Sequence, residues 1–147
     1  MKPLLSISIL LFVLFSFQTS IAQETSTFDL KRSIKLTPED IEAQNIKLSV
    51  YEKTSFVGLN ISCKVILGNL KVEIYDPNGN KQGEFAVESQ ILDKSNGTKD
   101  NFYEKETVEG QIEKFLKNPM RGDWIVKLIP IKTYAEVEIN SRFTTTN

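Results

Sequence analysis

The feature that most constrains this chain is an alternation that begins at Val57. Odd positions read Val57, Leu59, Ile61, Cys63, Val65 and Leu67, and the even ones between them read Gly58, Asn60, Ser62, Lys64 and Ile66. Side chains of an extended backbone point to opposite faces with a period of two, so apolar residues at this spacing make a strand with one buried face. A helix would scatter the same residues around its circumference. Gly68-Asn69 follows, and then Leu70, Val72 and Ile74 alternate with Lys71, Glu73 and Tyr75. Two such runs separated by a pair of turn-forming residues predict a β-hairpin.

The same rhythm recurs along the chain. Asp76-Pro77-Asn78-Gly79 places Asp, Pro and Gly at the first, second and fourth corners favoured in a type I turn. A strand is predicted around Gln82–Glu88 with Phe85 and Val87 inward, followed by a polar loop from Ser89 to Asn101, long enough to invite function or mobility. Val108, Ile112, Phe115 and Leu116 fit helical spacing with Thr107 as cap, but they also fit a strand, which the surrounding context favours. Asn118–Gly122 is a turn cluster. Beyond it Trp124, Val126 and Leu128 share a face, and Ala135, Val137 and Ile139 alternate with Tyr134, Glu136, Glu138 and Asn140. Upstream, Phe28, Leu30, Ile34 and Leu36 suggest a first strand interrupted by Arg32, and Ile46, Leu48 and Val50 begin another. Thr37-Pro38-Glu39-Asp40 reads as a helical turn with Thr as cap and Pro at the first helical position. Seven or eight short strands without a βαβ rhythm predict an all-β fold, a single antiparallel β-sandwich of jelly-roll or Ig-like type.

The N-terminus has a different character. Met1-Lys2-Pro3 precedes an apolar run from Leu4 to Phe17, with Ser20 and Ala22 as small residues before Gln23. These are the charged, apolar and cleavage regions of a signal peptide. The run is shorter than the roughly 20 residues of a membrane span, and no cysteine follows it to carry a lipid. Residues 1–22 are thus expected to be a signal peptide and residues 23–147 one β-sandwich domain, exported to the periplasm or beyond, with no stable membrane span once the signal is cleaved. The Ala-Gln junction looks bacterial, so the sequons at Asn60 and Asn96 are expected to stay unmodified.

Composition removes whole classes of chemistry. With no histidine and one cysteine, the chain can build neither a Ser-His-Asp triad, a Cys-His dyad nor a histidine- or cysteine-rich zinc site. Its 18 basic and 19 acidic side chains give no general attraction to nucleic acid or anionic lipid. No cofactor is expected, and calcium is the one metal with candidate ligands.

The stretch Leu70–Gly79, followed by Asn118–Lys127, resembles the bacterial pre-peptidase C-terminal domain. That family pairs a strand ending in an Asp-Pro-x-Gly turn with a later Pro-x-x-Gly-x-aromatic strand. Through Ile74-Tyr75-Asp76 and Gly79 the chain is similar, less closely, to the C-terminal sorting domains of type IX secretion, although Phe143–Asn147 lacks the basic, apolar close of those domains. Both resemblances imply an extracytoplasmic accessory module.

The candidate sites are few. Tyr134, Glu136 and Glu138 on one strand face, with Tyr75 outward on another strand, suggest an aromatic and acidic surface for a protein or glycan at the cell envelope. Glu136 and Glu138 stand about 7 Å apart by strand rise, a spacing a glycosidase could use, yet nothing in the sequence would raise one carboxyl's pKa. Asp93, Asn96 and Asp100 could supply oxygen ligands to calcium from the long loop. Asp76, Asn78 and Asn80 have ligand spacing too, but the turn accounts for them. Cys63 is expected to be a buried small hydrophobe and Trp124 a core residue. The leading expectation is a non-catalytic exported binding module. The alternatives are an assembly subunit that pairs through edge strands and a carboxylate-based glycan-active enzyme.

Overall fold

The computed structural model describes residues 24–89, 91–92, 104–105 and 107–146. The expected signal peptide and the candidate ligands Asp93, Asn96 and Asp100 lie outside the described residues. The described residues form eight strands: β1 Thr25–Leu36, β2 Gln44–Val50, β3 Thr54–Tyr75, β4 Lys81–Ser89, β5 Ile91–Leu92, β6 Glu104–Lys105, β7 Val108–Lys117 and β8 Gly122–Thr146. All pairings are antiparallel; β5 and β6 form a small ladder of their own, and the other six strands belong to one sheet. The fold is all-β, as the alternation predicts.

Two long strands run through both halves of that sheet. In the first half, the Phe56–Val65 part of β3 lies between β7 and the distal part of β8, and β8 is flanked in turn by β1. In the second, the Gly68–Tyr75 part of β3 lies between β4 and the Ile125–Ile131 part of β8, which is flanked by β2. The result is two four-stranded layers, β1-β8-β3-β7 and β2-β8-β3-β4, that share their central strands. They fold over one another. A Cβ on Gly110 of β7 would lie 2.3 Å from Val87 of β4, and one on Gly83 of β4 would lie 3.1 Å from Ile112 of β7. The Lys114 ammonium of β7 also donates to the Gln82 carbonyl of β4 at 2.7 Å. Between the layers lies one core that includes Leu36, Leu48, Ile61, Val72, Val126 and Val137, all nearly or fully buried. Cys63 and Trp124 belong to it, and the Trp124 indole N–H donates to the Met120 carbonyl at 2.9 Å.

The expected hairpin at Gly68-Asn69 is not formed. β3 continues through it, and Leu70–Tyr75 pairs with Pro130–Ile125 of β8 instead of folding back on Val57–Leu67. The glycine makes a corner. Gly68 has φ of 78° and the register slips between Val65 and Asn69, so the buried positions switch from odd (Val57 to Val65) to even (Leu70, Val72, Ile74). β8 makes the matching switch, from Trp124, Val126 and Leu128 to Ala135, Val137 and Ile139, across Lys132 at φ 47°. An extra residue in each strand bends it and re-aims its side chains. A Cβ at Gly68 would lie 2.2 Å from the Lys132 carbonyl oxygen, so only glycine fits. The fully buried Thr133 hydroxyl ties the corner, accepting the Ile131 N–H at 2.9 Å and donating to the Asn69 carbonyl.

Thr37–Asp40 is a single hydrogen-bonded turn, not a helical one. The Asp40 N–H reaches the Thr37 carbonyl at 2.9 Å while the Asp40 carboxylate accepts the Thr37 N–H and hydroxyl. β2 begins at Gln44 and leaves no room for further turns. Residues 108–117 form a strand, as favoured, with Val108, Ile112 and Leu116 inward. Phe115 lies on the other face, 69% exposed.

Candidate functional site

The outward face of the first layer carries most of the candidate residues. Alternation puts Tyr134, Glu136 and Glu138 there together, opposite the buried Ala135, Val137 and Ile139. Tyr134 is exposed. Glu136 pairs with Lys35 of β1 at 3.2 Å and Glu138 with Lys31 at 3.0 Å. With Glu109, Lys64 and Ser62, the two carboxylates line a shallow depression of about 410 Å³.

A second depression of about 680 Å³ lies farther along the same face, and its geometry follows from one missing side chain. In register across the sheet stand Phe115 of β7, Gly58 of β3, Arg142 of β8 and Asp29 of β1. At Gly58, in the middle of that row, a Cβ would lie 3.5 Å from the Phe56 ring and 3.7 Å from the Phe115 ring, so the missing side chain lets the two rings approach the strand closely. On one side the Phe56 and Phe115 rings stack with centroids 6.2 Å apart and planes 19° from parallel. On the other, the Arg142 guanidinium donates from Nε and Nη2 to both Asp29 oxygens, at 2.8 and 3.1 Å. That hydrogen bonding holds the Asp29 carboxyl below the usual carboxylate range and fixes the planar fork in place. Asn60 and Asn140 line the depression, and Asn60 donates to Glu113 at 2.9 Å. An apolar ring wall thus faces a row of oriented donors and acceptors.

Tyr75 lies elsewhere, on the outward face of the second layer. Its hydroxyl donates to Glu73 at 2.8 Å, and that bond raises its own pKa. Glu73 is only 5% exposed and also accepts from Lys71 and Lys81, both at 2.8 Å, while the same two lysines reach Glu84. Hydrogen bonds from Lys71, Lys81 and Tyr75 lower the Glu73 carboxyl to about 2, and the same contacts raise both lysines. The structure therefore brings together Tyr134, Glu136 and Glu138 but separates Tyr75 from them.

Asp76 acts as the closing residue of its turn. Burial pushes its carboxyl up, but hydrogen bonds from Asn80, Asn78 and Gln82 outweigh this and leave it below its ordinary value. Gly79, at φ 80°, donates its N–H to the Asp76 carbonyl as a type I turn requires. Among the described residues no group of three acidic or cysteine side chains is placed to hold a metal ion. No helix among them is long and apolar enough to cross a membrane. Phe56, Gly58, Phe115, Arg142 and Asp29 escaped the sequence reading, although a strand-interior glycine beside phenylalanines on the polar face is a usable signal.

No family model and no curated protein matches the chain. Among solved structures it is similar over 88% of its length to 13% of dimeric latent PorU from Porphyromonas gingivalis, at 7% identity and TM-score 0.52. A chain from the disulfide-linked pili that form Bacillus endospore appendages aligns with 84% of this chain and 89% of its own length, at 8% identity and TM-score 0.45. The chain thus spans a small fraction of PorU's length, and at this identity the likeness is one of fold.

Proposed function

We propose that this protein is an exported, non-catalytic β-sandwich module that binds a glycan of the cell envelope on the outer face of its first layer. The observation that carries this reading is the notch at Gly58. Aromatic rings in this setting stack against the C–H faces of sugars, and Arg142, Asp29, Asn60 and Asn140 present a row of groups suited to hydroxyls. The lysine partners of Glu136 and Glu138 favour binding over carboxylate chemistry, because each acid is engaged in an exposed ion pair. The apolar N-terminal run and the small residues at Ser20 and Ala22 support export.

Titration calorimetry of the purified protein against linear β-glucan, chitin and peptidoglycan oligosaccharides tests the proposal. Binding of at least one class, weakened about tenfold or more in Phe115→Ala, is the expected result. Equal binding by wild type and Phe115→Ala would place the ligand elsewhere, and no heat with any class would remove the glycan reading.

A further inference from the structure

β1 is a long, exposed edge strand. It pairs with β8 over twelve residues without a register shift, and with no other strand among the described residues. Its first nine residues are all exposed. On the core-facing side Phe28 stacks on Phe143 with centroids 4.8 Å apart, yet stays 46% exposed, and Leu30 is 38% exposed. Edge strands are ordinarily shielded by shortness, bulges, proline or an inward charge. Of these β1 carries only the last, Arg32, which makes no ion pair among the described residues; it also bears Asp29, Lys31 and Lys35, and charge on the edge, which repels an indiscriminate partner, admits one whose charges are complementary.

We infer that two copies of this chain associate edge to edge through β1, antiparallel, with Leu30 opposite Leu30 of the second copy. Charge selects the register. About a twofold axis through Leu30, Asp29 faces Lys31 of the second copy, and Lys31 faces its Asp29. On the same row Thr27 meets Ser33, and on the inner face Phe28 meets Arg32, a cation over a half-exposed ring. Sliding by one step of the strand period sets Asp29 against Asp29 in one direction and Lys31 against Lys31 in the other; like charges directly opposed disfavour both. The favoured register also extends alternating charge across the seam. Arg142 pairs with Asp29 in one copy and Lys31 with Glu138 in the other, so cation, anion, cation and anion stand in sequence. The partner is a second copy because the strand is complementary to itself, and a twofold contact has to be.

Cysteine crosslinking under copper–phenanthroline reads the register directly, since Cys63 is buried and does not compete. Leu30→Cys lies on the axis and is expected to form a covalent dimer rapidly. Ser33→Cys places its two thiols about 20 Å apart and is expected to stay uncrosslinked. In sedimentation at about 100 µM the wild type is expected to be dimeric, Asp29→Lys monomeric, and the double variant Asp29→Lys/Lys31→Asp dimeric again. A wild type that is monomeric at that concentration overturns the inference. So does a dimer in which Leu30→Cys links no faster than Ser33→Cys. If Asp29→Lys fails to fold, the crosslinking pair still decides, and none of these measurements depends on glycan binding.

Discussion

The two outward faces of this sandwich use the same ingredients to opposite ends. On the second layer, Glu73 is enclosed by Lys71, Lys81 and Tyr75, and Glu84 closes the ring from behind. Lys71, Glu73, Lys81 and Glu84 are all engaged with one another, and the result is a closed patch of charge over β3 and β4. On the first layer the ion pairs are two-membered, lie toward the β1 rim, and stop at the row containing Gly58. An alternating strand supplies charges to its outer face in either case. Whether they close on one another or frame an opening depends on one position, where glycine leaves space or a long side chain fills it.

The strongest way to break both faces at once is at the corner they share. Gly68→Ala forces a Cβ into the Lys132 carbonyl and a non-glycine residue to φ 78°, and is expected to cost about 3 kcal/mol or more in chemical denaturation. Next comes the closed face. Glu73→Gln removes the negative charge on which two lysines and a tyrosine converge and turns one accepting oxygen into a donor, and is expected to lower the midpoint of thermal unfolding by about 5 °C at neutral pH. The sign of the pH effect is set by the lowered carboxyl. The stability contributed by ionised Glu73 is present above its ordinary value of 4.5 and drains away as pH falls toward about 2. Denaturation curves collected between those limits should therefore fall less steeply in Glu73→Gln than in wild type.

The open face should show the reverse pattern, function without stability. Phe115→Ala trims a ring that is mostly in water, and is expected to shift the melting midpoint by no more than about 2–3 °C while abolishing most glycan binding. The smallest effect belongs to the rim. Glu136→Gln breaks one exposed pair with Lys35 and is expected to move the midpoint by about 1–2 °C, less still in high salt. A larger loss there than for Glu73→Gln would invert the contrast between the faces.

Much of this was legible in the sequence, and the exceptions share a cause. The inward faces of Val57–Val65, Leu70–Ile74 and Ala135–Ile139 follow from period two alone, as does the grouping of Tyr134, Glu136 and Glu138. Gly68-Asn69 reads as a hairpin but forms a corner, because a glycine with positive φ serves either equally well. The two differ only in where the following residues find partners, and Ile131 and Lys132 lie more than sixty positions away. The expected and observed strand numbers agree only because two pairs of alternating runs merge into β3 and β8 while β5 and β6 are additional. Tyr75 and Tyr134 both read as outward residues, but a sandwich has two outward faces, and alternation does not say which layer a strand joins. Phe115 illustrates the last limit. Its neighbours Ile112 and Leu116 pack against the core, and a ring among such residues reads as inward until the strand's parity is known.

The shared central strands have a consequence for how such a chain is made. β8 pairs with β1, β2 and β3, so both layers wait for the same final stretch, Gly122–Thr146. A polypeptide that emerges from a ribosome or a translocation channel N-terminus first holds neither layer intact until that stretch is free. Nearly all its contacts then close over long sequence separations, which makes for a slow, late and concerted folding step. Until that moment β1 is without the one strand partner it has among the described residues, and neither layer can close.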